Sequence, residues 1–127
     1  MIVVQICAAL EWASIKKHLR KEKVRYDKYP FGEYIFYDKY GVPYPFYYSG
    51  ANKTLSSAAC QYAIDHWKPE IIFVAGTCGG VAPILKEKDI IIANKTVQYD
   101  YTERLGGHTD IINQRPTANQ CNANLFI

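Results

Sequence analysis

A chain of 127 residues and 14.5 kDa is long enough for one domain with a single modest core. Its hydrophobic content of 49% is ordinary for a globular protein, and no apolar run approaches the roughly 20 residues of a membrane span. A net charge of +3 is too small to indicate a nucleic acid partner, and the first residues, MIVVQIC, lack the basic segment and cleavage site of a signal peptide.

Apolar runs and helical periodicity alternate along most of the chain. The predicted strands are residues 2–7, 32–39, 42–49, 70–75 and 89–93, with 96–101 extending or pairing with the last, and the predicted helices are residues 10–20 and 52–67. This alternation predicts a three-layer α/β domain, in which helices flank a central mixed, largely parallel sheet. Pro43 and Pro45 predict that strand 42–49 lies at a sheet edge or begins irregularly.

Two stretches of unusual composition each have two interpretations. The segment 26–48 contains most of the eleven tyrosines, and we favour an aromatic hairpin that covers a sheet or a subunit interface over a base-stacking surface. Lysines and arginines cluster from Lys16 to Arg25, and we favour a solvated helix face over a patch that binds phosphates.

The four cysteines, Cys7, Cys60, Cys78 and Cys121, are far apart, form no CxxC pair and have no metal-ligand spacing. Cys7 and Cys60 fall on apolar stretches, where a buried free thiol behaves as a small hydrophobe. We therefore expect free thiols in a reducing, cytoplasmic environment, with neither a metal nor a cofactor.

The C-terminal residues 113–127 (NQRPTANQCNANLFI) are rich in amides and have no clear period. We expect an irregular tail there. Because the chain stops abruptly on an apolar triplet, we also expect residues 1–127 to be the N-terminal portion of a single domain.

The most unusual stretch is GTCGG at residues 76–80, which follows the predicted strand 70–75. Glycines at a strand end allow positive φ angles and a close approach of the backbone to a ligand. Successive backbone N–H groups can then hold an anion or a sugar oxygen. The stretch is neither a Walker A loop nor a GxGxxG fingerprint, so by itself it is equally compatible with a plain turn.

Two other predicted strand ends carry similar residues. Gly50 and Ala51 follow strand 42–49, and Glu11 follows strand 2–7. In parallel α/β sheets ligands bind beyond the carboxyl ends of the strands, so we expect these three loops to form one site.

The stretches ICAALEWASIKKHL, SGANKTLSSAA and KPEIIFVAGTCGGVAPILKEKDIII, in that order, resemble the nucleoside phosphorylase superfamily. They look most like the methylthioadenosine/S-adenosylhomocysteine nucleosidases. The resemblance covers roughly residues 2–100, the N-terminal half of such a domain, and its most specific part is GTCGGVAPILKEKDIII, although Lys88 stands where a glycine is usual.

The resemblance implies cleavage of the N-glycosidic bond of a purine nucleoside. A glutamate after the first strand would prepare the attacking water, and Thr77 matches the hydroxyl residue that helps to place nucleophile and sugar. Cys78, Gly79 and Gly80 lie beside Thr77, and Ala51 would line the base or sugar pocket. The family's purine-protonating aspartate and its ribose-binding Met-Glu pair lie in the C-terminal half and have no counterpart here.

The water-activating position has two possible occupants. A gap-free match to the family pattern places Ala13 there, whereas a gap at LEW places Glu11 there. Only a carboxylate can polarise water, so the chemistry favours Glu11. A further departure is Asn52, which stands where the family usually has a second glycine.

Hydrolysis is preferred over phosphorolysis because a phosphorylase needs cations to hold phosphate. Many relatives have an arginine just before the glycine turn, where this chain has Val74 and Ala75. A covalent role for Cys78 is disfavoured, since no cation has a fixed relation to it in the sequence.

The sequence therefore predicts a purine nucleosidase-like protein that hydrolyses an adenine nucleoside such as methylthioadenosine, although residues 1–127 alone are not expected to be a competent catalyst. The alternatives are a nucleoside phosphorylase and a truncated, non-catalytic module for nucleoside binding or subunit interaction. The expected partners are a small nucleoside, water or phosphate, and further copies of the chain, since relatives often assemble into oligomers; a membrane is not expected.

Overall fold

A computed structural model describes residues 1–20, 22, 24–39, 41–93, 95–96 and 119–120. The contacts divide the chain into two compact units, Met1–Gly79 and Gly80–Ile127. The elements are, in chain order, β1 (Ile2–Ile6), α1 (Ala9–Leu19), β2 (Val24–Tyr29), β3 (Gly32–Lys39), β4 (Val42–Tyr48), α2 (Lys53–Trp67), β5 (Ile71–Ala75), β6 (Lys95–Thr96) and β7 (Asn119–Gln120).

The first unit contains a five-stranded sheet in the order β2-β3-β4-β1-β5. β1 lies between β4 and β5 and runs parallel to both, with Val4 opposite Phe46 on one side and Phe73 on the other. β2, β3 and β4 form an antiparallel meander. The prediction of a mixed sheet with flanking helices is confirmed, and its parallel part is β4-β1-β5.

The alternation of side chains along β1 assigns one helix to each face of the sheet. Val3 packs in a buried cluster with Tyr47 and with Ala59 and Ala63 of α2. On the opposite face, Ile6 packs in a separate cluster with Trp12 and Leu19 of α1 and Ile35 of β3. The small side chains in the middle of α2 let this helix lie close to the sheet.

The aromatic segment covers the sheet on the α2 side. Tyr29 and Tyr34 pack with Trp67, and their ring centroids lie 6.5 and 5.2 Å from that of Trp67. Tyr62 packs against Tyr29 at 5.4 Å. Aromatic rings of the meander thus supply much of the apolar surface beneath α2, as the preferred interpretation of the segment required.

The strand β2 was not predicted, because its sequence has little of the apolar pattern that indicates a strand. Its sequence, VRYDKY, is polar and basic, and four of its six residues are exposed. It is a strand because it pairs along its whole length with β3, from Val24 opposite Tyr37 to Tyr29 opposite Gly32. A strand at the sheet edge with so little buried surface has a weak apolar pattern.

Of the two outcomes predicted for strand 42–49, the position at a sheet edge is wrong, since β4 is an interior strand between β3 and β1. Pro43 and Pro45 lie opposite Asp38 and Phe36 of β3. The pairing with β1 begins only at Phe46. Both prolines therefore lie in the part of β4 that has one neighbour, where a missing backbone donor is tolerated.

In the second unit, the strand predicted at 89–93 is not formed. Ile90 is 93% exposed, and no strand among the described residues pairs with this segment. Among these residues the apolar run has no hydrogen-bonded neighbour of the kind that a strand requires. Thr96 instead pairs with Asn119 in the short β6-β7 ladder, and the predicted irregular tail otherwise lies outside the described residues.

Within the part of the chain that the structure describes, neither helix has the length and apolar character needed to cross a membrane.

We predict that Ile35→Ala destabilises the protein by about 2–5 kcal/mol, because Ile35 is fully buried against α1 and its truncation leaves a cavity. The matched control is Ile64→Ala, since Ile64 of α2 is 43% exposed and should lose at most about 0.5 kcal/mol. Urea unfolding measures both changes. Equal losses would contradict the described core.

Candidate active site

Three loops leave the sheet at one edge because β1, β4 and β5 run parallel. The loop after β4 is tied to β1 by the backbone N–H of Ser49, which donates to the carbonyl oxygen of Ile6 at 2.9 Å. Helix α1 begins only three residues after β1 ends. The first turn of α1 and the glycine turn after β5 are therefore close to each other, since β5 is the parallel neighbour of β1.

The Glu11 carboxylate joins these two segments across 66 residues of sequence. Its Oε1 accepts hydrogen bonds from the backbone N–H of Thr77 at 2.5 Å and from the Thr77 hydroxyl at 2.7 Å. Its Oε2 accepts one from the backbone N–H of Ala8 at 3.2 Å. Glu11 thus both caps the start of α1 and holds the glycine turn.

Gly76 leaves room for the close approach of this carboxylate. A Cβ atom at position 76 would lie 2.9 Å from Oε1 and 3.0 Å from Oε2 of Glu11. Positive φ, one of the two properties that the sequence suggested for the glycines of GTCGG, is not observed, since none of them is among the described residues with positive φ. Gly50, after β4, does have a φ of 81°.

The electrostatics of the site favour a charged Glu11. The backbone N–H of Thr77, followed by the Thr77 hydroxyl, holds the pKa of the Glu11 carboxyl below its ordinary value. Partial burial raises this pKa, and the N–H of Ala8 lowers it. Hydrogen bonds to the ionised form stabilise it. Glu11 is therefore a carboxylate at neutral pH and accepts, but does not donate, hydrogen bonds.

A hollow of about 430 Å³ lies between α1 and β5 beside this carboxylate, and we call it the α1–β5 hollow. Its walls are mainly apolar, and its polar side chains are those of Glu11, Ser14 and Thr77. The residues that line it are Ile6, Leu10, Glu11, Ser14, Ile15, Ala75, Gly76 and Thr77. The hollow is open to solvent, and its volume lies within the range of small-molecule sites.

A buried polar network next to the site was not predicted. The Gln5 side-chain amide donates to the hydroxyls of Ser49 at 3.1 Å and Ser56 at 2.6 Å, and its oxygen accepts from the Tyr47 hydroxyl at 2.6 Å. Burial raises the pKa of Tyr47, which keeps its hydroxyl protonated as a donor. The only signal in the sequence was a glutamine in the otherwise apolar run IVVQI.

The other predicted site residues are not brought to the hollow by the structure. Ala13 and Ala51 are exposed and do not line it, and Ala51 precedes Asn52, whose side-chain oxygen accepts from the N–H of Leu55 at 2.8 Å and caps α2. Cys78 is an exposed free thiol. The roles assigned to them stay predictions.

The last two glycines of the turn differ in their surroundings. A Cβ atom at Gly79 would meet nothing within 4 Å, whereas one at Gly80 would lie 3.3 Å from Leu85 within the second unit. Their predicted roles in substrate binding also stay predictions. No group of three or more potential ligands among the described residues is arranged to hold a metal ion.

The family model of the phosphorylase superfamily matches residues 4–125. The chain belongs to the phosphorylase superfamily. Among solved structures, this superfamily member is similar to a Francisella philomiragia protein thought to be a 5′-methylthioadenosine/S-adenosylhomocysteine nucleosidase, with 27% identity and a TM-score of 0.67 over 79% of this chain and 42% of that one.

Two further nucleosidases of that name are similar in fold. The Neisseria meningitidis enzyme, in complex with methylthio-immucillin-A, has 19% identity and a TM-score of 0.73 over 96% of this chain and 52% of that one. The S. pneumoniae enzyme, bound to the transition-state inhibitor MT-ImmA, has 18% identity and a TM-score of 0.72 over 96% and 53%. This superfamily member thus spans about half the length of the structures that it matches.

We predict that Gly76→Ala displaces the Glu11 carboxylate and destabilises the protein by about 1–3 kcal/mol, because the new methyl group overlaps Oε1 and breaks the bonds to Thr77. Gly79→Ala is the matched control, since its site is open and its φ is not positive, and it should change stability by less than about 1 kcal/mol. Thermal unfolding measures both variants. A Gly76→Ala protein as stable as Gly79→Ala would contradict the close approach.

We also predict that the stability supplied by the Glu11 charge is lost in acid. The folded-state pKa lies below the ordinary value of 4.5, so the unfolded chain binds the proton more readily. The stabilisation by the Glu11 charge is therefore complete above pH 4.5 and declines as the pH falls through the folded-state pKa. The stability difference between wild type and Glu11→Gln should be larger at about pH 7 than at about pH 3. A difference independent of pH in urea titrations would contradict this assignment.

Proposed function

We propose that this chain supplies the water-orienting part of a purine nucleosidase site, which hydrolyses the N-glycosidic bond of an adenine nucleoside such as methylthioadenosine. The observation that carries the proposal is the ionised Glu11 carboxylate, held by Thr77 at the carboxyl ends of β1 and β5 and facing the α1–β5 hollow. The resemblance implies a carboxylate after the first strand and a hydroxyl in the glycine turn, and with the gap at LEW these are Glu11 and Thr77.

The two oxygens of Glu11 have different tasks in this proposal. Oε1 is the anchor, because it accepts both hydrogen bonds from Thr77. Oε2 accepts only the longer bond from Ala8 among the described contacts, so it has the capacity to accept a hydrogen bond from water. Ala13 has no polar side chain and does not line the hollow, which supports Glu11 as the water-activating residue.

In the proposed reaction, a water oxygen attacks the anomeric carbon while the bond from that carbon to the purine nitrogen breaks. The water proton passes to Glu11, and the bonding electron pair leaves with the purine, which takes a proton from a separate acid. A lowered pKa makes resting Glu11 a weak base. Its larger contributions are therefore to orient the water and to stabilise positive charge on the sugar.

Hydrolysis is supported over phosphorolysis by the composition of the hollow. None of the lining residues that the structure describes is lysine, arginine or histidine, and the carboxylate already occupies the two Thr77 donors that could have held an anion. A phosphate group would thus meet a like charge and no counter-ion among these residues.

The acid that protonates the purine and the groups that hold the ribose are proposed to come from the C-terminal half of a complete domain, in the same or a neighbouring chain. The match to about half the length of the nucleosidase structures supports this arrangement. Oligomer formation and a cytoplasmic location stay predictions.

We predict that Glu11→Gln lowers the rate of adenine release from methylthioadenosine by roughly 10²–10⁴-fold in the full-length protein, because the neutral amide orients water less well, cannot stabilise positive charge on the sugar and cannot accept a proton. Glutamine keeps an oxygen for Thr77 and suits the capping position of α1, so the fold should persist. Glu22→Gln, at an exposed carboxylate beyond α1, is the control and should retain the wild-type rate.

The outcomes of this assay separate the proposals. Adenine release that is unaffected by Glu11→Gln would contradict the role of Glu11. Binding of methylthioadenosine by the full-length wild type without adenine release would favour the non-catalytic binding module. Adenine release that requires added phosphate would favour a phosphorylase.

A further inference from the structure

The hydroxyl groups of the α1–β5 hollow have already donated their hydrogens within the protein. The Thr77 hydroxyl donates to Oε1 of Glu11 at 2.7 Å, and the Ser14 hydroxyl donates to the carbonyl oxygen of Leu10 at 2.9 Å. A carboxylate and a carbonyl can only accept, so the direction of both hydrogen bonds is fixed by chemistry.

The polar side chains of the hollow therefore present only acceptors to a ligand. Each hydroxyl has lone pairs left, and Glu11 is an acceptor with a negative charge. The backbone N–H of Thr77 is also used by Glu11, and none of the described side chains that line the hollow is cationic. A ligand that binds to these side chains must bring its own donors, and an anion finds no donor or positive charge among them.

Ser14 lies on the same face of α1 as Glu11, three residues further along the helix. Its bond to Leu10, one turn earlier, keeps the hydroxyl oxygen in a fixed place on a wall that is otherwise made by apolar residues such as Leu10 and Ile15. A fixed acceptor beside the carboxylate can receive a second hydrogen from the same ligand.

We propose that Ser14 is a specificity-determining residue, which together with Glu11 and Thr77 selects a neutral ligand with hydroxyl or amino donors and excludes phosphate. The inference rests on the proposed function for the identity of that ligand, a nucleoside. What it adds is the pattern of hydrogen-bond acceptors, which a binding measurement tests without turnover.

The test is calorimetric titration of the full-length protein with methylthioadenosine, with ribose as a second neutral probe and inorganic phosphate as the anionic probe. Ser14→Ala should weaken binding of the neutral probes by roughly 2- to 10-fold, the usual effect of losing one hydrogen bond. Alanine favours helix, so α1 should be preserved. Ser14→Thr keeps the hydroxyl and its bond to the preceding turn, and should bind as the wild type does.

Phosphate should neither bind the wild type nor weaken the binding of methylthioadenosine. Equal affinities for wild type and Ser14→Ala, competition by phosphate, or no binding of either neutral probe would overturn the inference. If the wild type releases adenine but Ser14→Ala binds the neutral probes as tightly as the wild type, this inference is contradicted and the proposed function is intact. If Ser14→Ala binds the nucleoside more weakly but the wild type releases no adenine, this inference is supported and the proposed function is contradicted.

Discussion

The hydrogen bonds between the Glu11 carboxylate and Thr77 are the interaction on which the site depends. They join the first turn of α1 to the loop after β5 across 66 residues, and they are possible only because β1 and β5 are parallel neighbours whose carboxyl ends meet. The same contact explains three separate features: a glycine at position 76, an ionised carboxylate, and two Thr77 donors that are no longer free for an anion.

The buried Gln5 network supports this edge of the sheet from the side of β4 and α2. A buried amide is costly unless it is paired, and here its donors and its acceptor are used by Ser49, Ser56 and Tyr47. Shifting β1 by one residue against β4 would turn Gln5 to the opposite face and leave these hydroxyls without it. We interpret the network as a device that specifies register at the strand ends where the site lies.

The parts of the fold that were predicted from sequence are those with a strong local pattern. β1 and β5 are nearly continuous apolar runs, and both helices have apolar residues at helical spacing, so the sequence pattern is enough to locate them. β2 has no such pattern and forms because β3 pairs with it. The apolar run at 89–93 shows the converse, since its pattern is that of a strand but it has no paired neighbour among the described residues.

The sequence by itself determined the chemistry at each strand end: a carboxylate after β1, a glycine turn with a hydroxyl after β5, and the family to which these belong. The tertiary structure decided which of these groups meet. It brought Glu11 rather than Ala13 to the glycine turn, gave Gly76 a close approach to the Glu11 side chain without a positive φ, and added Ser14 to the hollow. Side-chain chemistry is a property of single residues, whereas distance and hydrogen-bond direction depend on how remote segments pack.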